Sequence, residues 1–245
     1  MTNSQFSRSV SLNNIPAKKL NQILANITSS CEQCSNNANF ADGLCIKCTN
    51  ANVAINRFAE SNIPIEYWRF KMDKDFNGYQ GLLDKYTSIT SDIKQSYIDG
   101  KSYCFAGNYG LGKTTVFCCV LKTAALKGYS CLYTTLSDVV SVFTSAPADE
   151  KYTARRELSM VDFLVIDELD SRFLPTESAA DLYARTLENI FRTRSQNKLP
   201  TYICTNSPNI VEAFNGSLKA SMDSLFQGYM EFVPVLGSDF RKNKA

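Results

Sequence analysis

Apolar residues recur along this chain in two rhythms. Near the start the period is helical. Ile15, Leu20, Ile23, Leu24 and Ile27 fall on one face behind the cap-and-proline sequence Asn14-Ile15-Pro16, and Leu82, Tyr86, Ile89, Ile93 and Tyr97 mark another helix. The first of these faces either packs within its own domain or is offered to a partner. From residue 102 onward, short apolar runs alternate with longer helical stretches. The runs 102–106, 129–134, 162–167, 201–205 and 229–235 read as strands, and 113–127, 136–144, 178–196 and 208–227 read as helices. Such alternation predicts an α/β domain, a mostly parallel five-stranded sheet between helices. Residues 50–75 read as a polar connector that ends in Ile63-Pro64-Ile65-Glu66-Tyr67-Trp68.

Chemistry enters with the loop after the first of these strands. Gly107-Asn108-Tyr109-Gly110-Leu111-Gly112-Lys113-Thr114 is the G-x-x-x-x-G-K-[ST] pattern, with a strand before it and a helix after it. Glycines let the backbone curl until its N–H groups point at an anion, and the helix N-terminus adds its dipole. Lys113 offers a point charge to the β- and γ-phosphates, and the Thr114 hydroxyl is placed for Mg²⁺, with Thr115 beside it. The run 161–166 then ends in Asp167-Glu168, 53 residues after Thr114. An aspartate ending a strand beside the P-loop strand would hold Mg²⁺ through water, and the next glutamate would polarise the attacking water. Asn206 ends the following strand, where a carboxamide would bridge that water and the γ-phosphate. Asn197-Lys198 is followed by Leu199-Pro200, without the aspartate that reads a guanine edge, so the expected nucleotide is ATP.

Composition narrows the class only modestly. The 245 residues are 44% hydrophobic and 20% charged, with a net charge of +2, which describes a globular domain with a small appendage. No apolar run approaches the roughly 18 residues of a membrane helix, and the first residues lack a signal-peptide core, so a cytoplasmic protein is expected. Residues 1–58 carry five basic side chains (Arg8, Lys18, Lys19, Lys47, Arg57) against two acidic ones (Glu32, Asp42), and 241–244 are also basic. These clusters are either solvated surface or phosphate contacts.

The nine cysteines divide unevenly. Cys104, Cys118, Cys119, Cys131 and Cys204 fall inside apolar patterns and read as buried packing. Cys31-Glu32-Gln33-Cys34 and Cys45-Ile46-Lys47-Cys48 form two C-x-x-C pairs, the spacing that aims four thiolates at one tetrahedral Zn²⁺. With no histidine in the chain the site would be Cys₄, closed to water and therefore structural. The expected organisation is a helix plus zinc module at 1–58, a connector and helix at 59–100, and the nucleotide-binding domain at 101–245.

Taken together, Ile63-Pro64, the 107–114 loop, the 163–168 strand end, Arg194 six residues ahead of Pro200, Thr205-Asn206 and Gly237-Ser238-Asp239-Phe240-Arg241 resemble AAA+ ATPases of the DnaC/IstB type. These are the bacterial replicative helicase loaders and their transposon relatives, and the resemblance spans about residues 63–241. A cysteine-rich module ahead of such a core resembles the DnaI-type loader. The resemblance implies that Asn206 is sensor 1 and that Arg241 is a sensor-2-like arginine touching the nucleotide. It also implies an arginine reaching into a neighbouring subunit's site, but Ser224 stands at that position. Either Lys219, Arg192 or Arg194 substitutes, or hydrolysis is slow. The implied function is a helicase loader whose zinc module grips the replicative helicase, while the core binds ATP, forms homo-oligomers and holds single-stranded DNA. Lys151, Arg155 and Arg156, with Tyr152 for stacking, are either DNA contacts or a solvated helix face. Two other readings stand beside it: an IstB-like transposition ATPase on duplex DNA, and an adaptor switched by ATP without hydrolysis.

Overall fold

The sheet is parallel throughout, and its strand order decides what meets at its edge. The computed structural model describes residues 46–170, 178–207, 216–237 and 239. Its strands are β1 (Tyr103–Ala106), β2 (Cys131–Thr135), β3 (Phe163–Asp167), β4 (Thr201–Thr205) and β5 (Glu231–Pro234), arranged β2-β3-β4-β1-β5. The sequence places the Asp167 strand beside the P-loop strand; in the structure β4 lies between them, pairing Tyr103 with Tyr202 on one side and Leu164 with Thr201 on the other. Sequence order could not show this, because parallel strands are joined by crossovers and chain neighbours need not be sheet neighbours. The insertion brings the ends of β1, β4 and β3 into one row.

Between the strands run α6 (Lys113–Leu126), α7 (Leu136–Ser145), α8 (Ala148–Met160), α9 (Ser178–Gln196) and α10 (Gly216–Tyr229). The helix α8 is absent from the sequence pattern because its inward face is thin: of its apolar side chains only Ala154 and Leu158 are buried. Strand residues alternate between two cores, as a period of two requires. Phe163, Val165, Tyr202 and Cys204 join one core with α6, while Leu164, Ile166 and Ile203 join the other with α9 and α10. In the first core Phe117 stacks between Phe105, at 4.1 Å between centroids, and Tyr202, at 4.9 Å. The helix α6 is buried on nearly every side, so it is apolar almost all round.

Residues 50–75 are not a polar connector. They contain most of α1 (Ile46–Glu60) followed by two short helices, α2 (Ile65–Trp68) and α3 (Met72–Asp75), and then α4 (Gln80–Thr90) and α5 (Ile93–Asp99) lead into β1. Ile55, Phe58 and Ala59, at i, i+3 and i+4, are buried with Ile63, Trp68 and Met72 in the α6 core. Few in number, they are outvoted by polar neighbours in any composition window. Helix α1 therefore runs across the 58/59 boundary and packs on α6, whose last carbonyls, Ala125 and Leu126, accept bonds from Arg57 at 3.1 and 2.8 Å. After α1 the chain turns at Ser61-Asn62, with Asn62 in the left-handed region at φ 56°, which asparagine tolerates better than most residues. This turn seals the outer edge of β2: Tyr133 N–H donates to the Ser61 carbonyl at 2.8 Å, and the Asn62 side chain donates to the Tyr133 carbonyl at 2.9 Å. Among the described residues no helix is long and apolar enough to cross a membrane.

Candidate functional site

At the carboxyl ends of β1, β4 and β3 lies a cavity of about 320 Å³. Its floor is the loop into α6. Gly107 N–H donates to the Thr205 carbonyl at 3.2 Å, and a Cβ on Gly107 would meet the Val235 carbonyl oxygen at 2.2 Å, so no side chain fits there. Gly110 and Gly112 take φ of 73° and 89°, the left-handed region open to glycine. Gly112 then starts α6 with no side-chain cap and no acid in the first turn, which leaves the amides of a 14-residue helix to an outside acceptor.

Lys113 is buried, and its ammonium donates to the carbonyls of Gly107 and Asn108 at 2.6 and 2.7 Å and to Asn206 Oδ1 at 3.0 Å. The P-loop lysine and the amide after β4 are thus in direct contact. Thr114 Oγ1 donates to Asp167 Oδ2 at 2.8 Å. The same carboxylate oxygen accepts the Tyr133 hydroxyl at 2.9 Å, and Asp167 Oδ1 accepts the Glu168 N–H at 2.8 Å. Glu168 has φ 54°, a conformation that non-glycine residues rarely adopt. The chain then folds back, with Leu169 N–H on the Cys204 carbonyl at 3.0 Å, which leaves the Glu168 side chain exposed on the cavity wall.

The structure therefore brings Tyr109, Gly110, Leu111, Gly112, Lys113, Thr114, Thr115, Asp167, Glu168 and Asn206 to one cavity, with Gly107 and Asn108 directly beneath Lys113. Arg241 lies outside the described residues, as do Cys31, Cys34 and Cys45; Cys48 falls on the backbone of α1.

Sequence reading missed one wall. Glu66, Tyr67 and Phe70 line the cavity from the α2 segment. Lys122 of α6 fixes that segment by donating to the carbonyls of Tyr67 and Phe70 at 2.7 and 2.6 Å, and burial lowers its pKa. Burial likewise raises the Tyr67 phenol far above its ordinary range, so it remains a neutral donor beside the cavity. Ile63-Pro64 marks this segment, but nothing in its pattern announces which residues turn inward.

Arg194 cannot serve a neighbouring subunit. It is fully buried and donates to the carbonyls of Leu158, Val161 and Pro200 at 3.0, 2.8 and 2.8 Å and to Thr201 Oγ1 at 2.7 Å, while desolvation brings its pKa down to about 10. Arg192 is half-exposed, held by Glu188 at 2.7 Å and Ser221 at 3.1 Å, and Ser224 and Lys219 are exposed on α10. On α8, Tyr152, Arg155 and Arg156 are exposed. The five apolar-pattern cysteines are buried thiols; burial pushes Cys104 up to about 12 and Cys119 to about 11, which makes them inert.

Comparison with known proteins fits this geometry. The profile of the family described as IstB-like ATP binding protein matches residues 64–197. The replicative helicase loader DnaC of Escherichia coli K12 is 34% identical over 111 residues, which are 43% of this chain and 42% of that protein. The chain thus spans less than half the length of that relative. Among solved structures, DnaI superposes with a TM-score of 0.56 at 18% identity, covering 72% of this chain and 93% of that one. The replication initiator DnaA bound to AMPPCP and single-stranded DNA superposes with a TM-score of 0.55 at 16% identity, covering 72% and 51%. At such identities these likenesses speak for the fold.

Proposed function

Because this chain belongs to the family of IstB-like ATP binding proteins, as an ATP-binding AAA+ protein of the DnaC/IstB type, we propose that it is an ATP-dependent loader of a replicative helicase. The observation that carries the reading is the 34% identity with a helicase loader over 111 residues. The donor set suits Mg²⁺: a carboxylate and a hydroxyl, both hard oxygen ligands, meet at 2.8 Å on the cavity wall. Asp167 and Thr114 would hold that ion, which when bound offsets charge on the β- and γ-phosphates. Lys113 adds a second positive charge from the P-loop side. Glu168 is the base for the attacking water, and Asn206, already on Lys113, orients that water against the γ-phosphate. Arg241 is the further nucleotide contact proposed.

The partner-binding part is proposed for residues 1–58, with Zn²⁺ on Cys31, Cys34, Cys45 and Cys48, followed by the 59–100 segment and the 101–245 ATPase domain. ATP-bound copies would form a homo-oligomer on single-stranded DNA, with Tyr152 stacking on a base and Lys151, Arg155 and Arg156 contacting phosphates. Ser224 in place of an arginine goes with slow turnover. A second reading is an IstB-like transposition ATPase on duplex DNA, which shares the IstB-like ATP-binding core and so is not separated from the first by it.

The test is co-purification with the host's replicative helicase. The full chain should retain the helicase and carry one zinc by elemental analysis. Changing Cys31→Ser with Cys34→Ser should remove both the zinc and the helicase yet spare ATP binding. Retention of the helicase without zinc overturns the gripping role, and capture of a transposase in place of the helicase favours the second reading. Glu168→Gln should keep ATP bound while hydrolysis falls about a hundredfold.

A further inference from the structure

Asp167 is held by more than the P-loop. Its Oδ2 accepts two hydroxyls, from Thr114 at 2.8 Å and from Tyr133 at 2.9 Å, while its Oδ1 accepts the Glu168 amide at 2.8 Å. The two hydroxyl donors differ in what a bound cation would ask of them. Thr114 sits on the P-loop helix and would turn an oxygen lone pair to the cation. Tyr133 sits on β2, is buried, and gives its hydroxyl to the carboxylate as a donor.

The reach of Tyr133 follows from register. Tyr133 pairs with Val165 and Thr135 pairs with Asp167, so the Tyr133 side chain lies two residues short of the carboxylate on the same face. A tyrosine spans that diagonal; a shorter hydroxyl would not. The backbone of Tyr133 is also gripped on its other edge. Ser61 O accepts its N–H at 2.8 Å and Asn62 donates to its carbonyl at 2.9 Å, in the turn that ends α1. A chain of contacts thus runs from α1 through the Ser61-Asn62 turn and the Tyr133 ring to the carboxylate on the cavity wall.

We propose that Tyr133 is a positioning residue for the metal-binding carboxylate of Asp167, and that the Ser61-Asn62 turn sets its place, so that the seating of α1 registers in the protein's Mg²⁺-dependent affinity for nucleotide. This rests on the reading that Asp167 and Thr114 hold the Mg²⁺ of a bound nucleotide. Partners one shell out from a metal ligand keep it oriented, and their loss typically weakens metal binding about tenfold or more.

The experiment titrates the full chain with a fluorescent ATP analogue, once in excess EDTA and once across a Mg²⁺ series. Tyr133→Phe removes one hydroxyl and nothing else. It should require about tenfold more Mg²⁺ for the half-maximal gain in affinity while leaving the EDTA affinity unchanged. Asn62→Gly keeps the left-handed turn accessible and removes the carboxamide that donates to the Tyr133 carbonyl, so it should shift the Mg²⁺ midpoint in the same direction by less. Equal weakening with and without Mg²⁺ would show a general structural role and overturn the assignment, as would unchanged Mg²⁺ midpoints in both variants. If the parent itself binds the analogue equally in EDTA and Mg²⁺, the metal reading fails first and takes this assignment with it. A Tyr133→Phe protein that does not fold leaves Asn62→Gly to decide, by the same midpoint.

Discussion

Two buried cations mark opposite ends of the sheet. At the carboxyl ends of the strands, Lys113 spends its ammonium on two loop carbonyls and the Asn206 amide. At the amino ends, Arg194 spends its guanidinium on the Leu158, Val161, Asp162 and Pro200 carbonyls and the Thr201 hydroxyl. Both groups are removed from water, which is costly for a charge unless its donors are met. The difference lies in what surrounds the acceptors. Those of Lys113 belong to a loop and a side chain at the cavity, where an anion can take their place. Those of Arg194 are carbonyls and a hydroxyl at the end of α8 and at the starts of β3 and β4, locked in the fold, and all the forked donors are occupied at once, a pattern suited to arginine rather than lysine. Burial alone therefore does not mark a functional cation; a neighbouring space for its counter-ion does.

The sharpest way to break this comparison is to remove each cation and ask which property suffers. Arg194→Met should cost about 4 kcal/mol of stability, because several buried carbonyls lose their donor together. It should read as a lower midpoint in denaturant unfolding, with nucleotide affinity per folded molecule unchanged; a loss of affinity at unchanged stability would make Arg194 part of the site after all. Lys113→Ala should do the reverse, weakening ATP binding about a hundredfold by isothermal titration with little change in the unfolding midpoint. Tight ATP binding by that variant would remove the cavity's claim to the triphosphate. The smallest effect is expected for Asn206→Ala, about a tenfold slower hydrolysis with affinity nearly unchanged. If that variant instead loses affinity as Lys113→Ala does, the amide serves to hold the lysine and not to orient water.

What was legible in sequence was whatever is encoded locally. The glycines at 107, 110 and 112 with the lysine and threonine that follow form one short run, the acids ending an apolar strand form another, each readable by itself, and the structure gathers the two at one cavity. What depended on distant parts of the chain was not legible. The place of β4 between β1 and β3, the approach of Glu66, Tyr67 and Phe70, and the Tyr133 hydroxyl on Asp167 each join residues separated by a helix or more. Arg194 shows the converse hazard. A charged residue near a strand start reads as available, and only packing reveals that Leu158, Val161 and Pro200 enclose it.

The strand order also has a consequence for how this chain acquires its shape during synthesis. Strand β1, which launches the phosphate-binding loop, pairs on one side with β4 and on the other with β5, so Tyr103 meets Tyr202 and Glu231. Its last partner leaves the ribosome about 130 residues after it does, which at 5–20 residues per second is a wait of roughly 6–26 s. Through that interval the apolar Tyr103-Cys104-Phe105 segment has no complete sheet to enter, and pairings of such long sequence separation form slowly in any case. The nascent chain therefore carries this apolar strand without its full set of sheet partners through about 130 residues of synthesis. Slowing synthesis between residues 106 and 201 should lower soluble yield more than the same delay placed after residue 235.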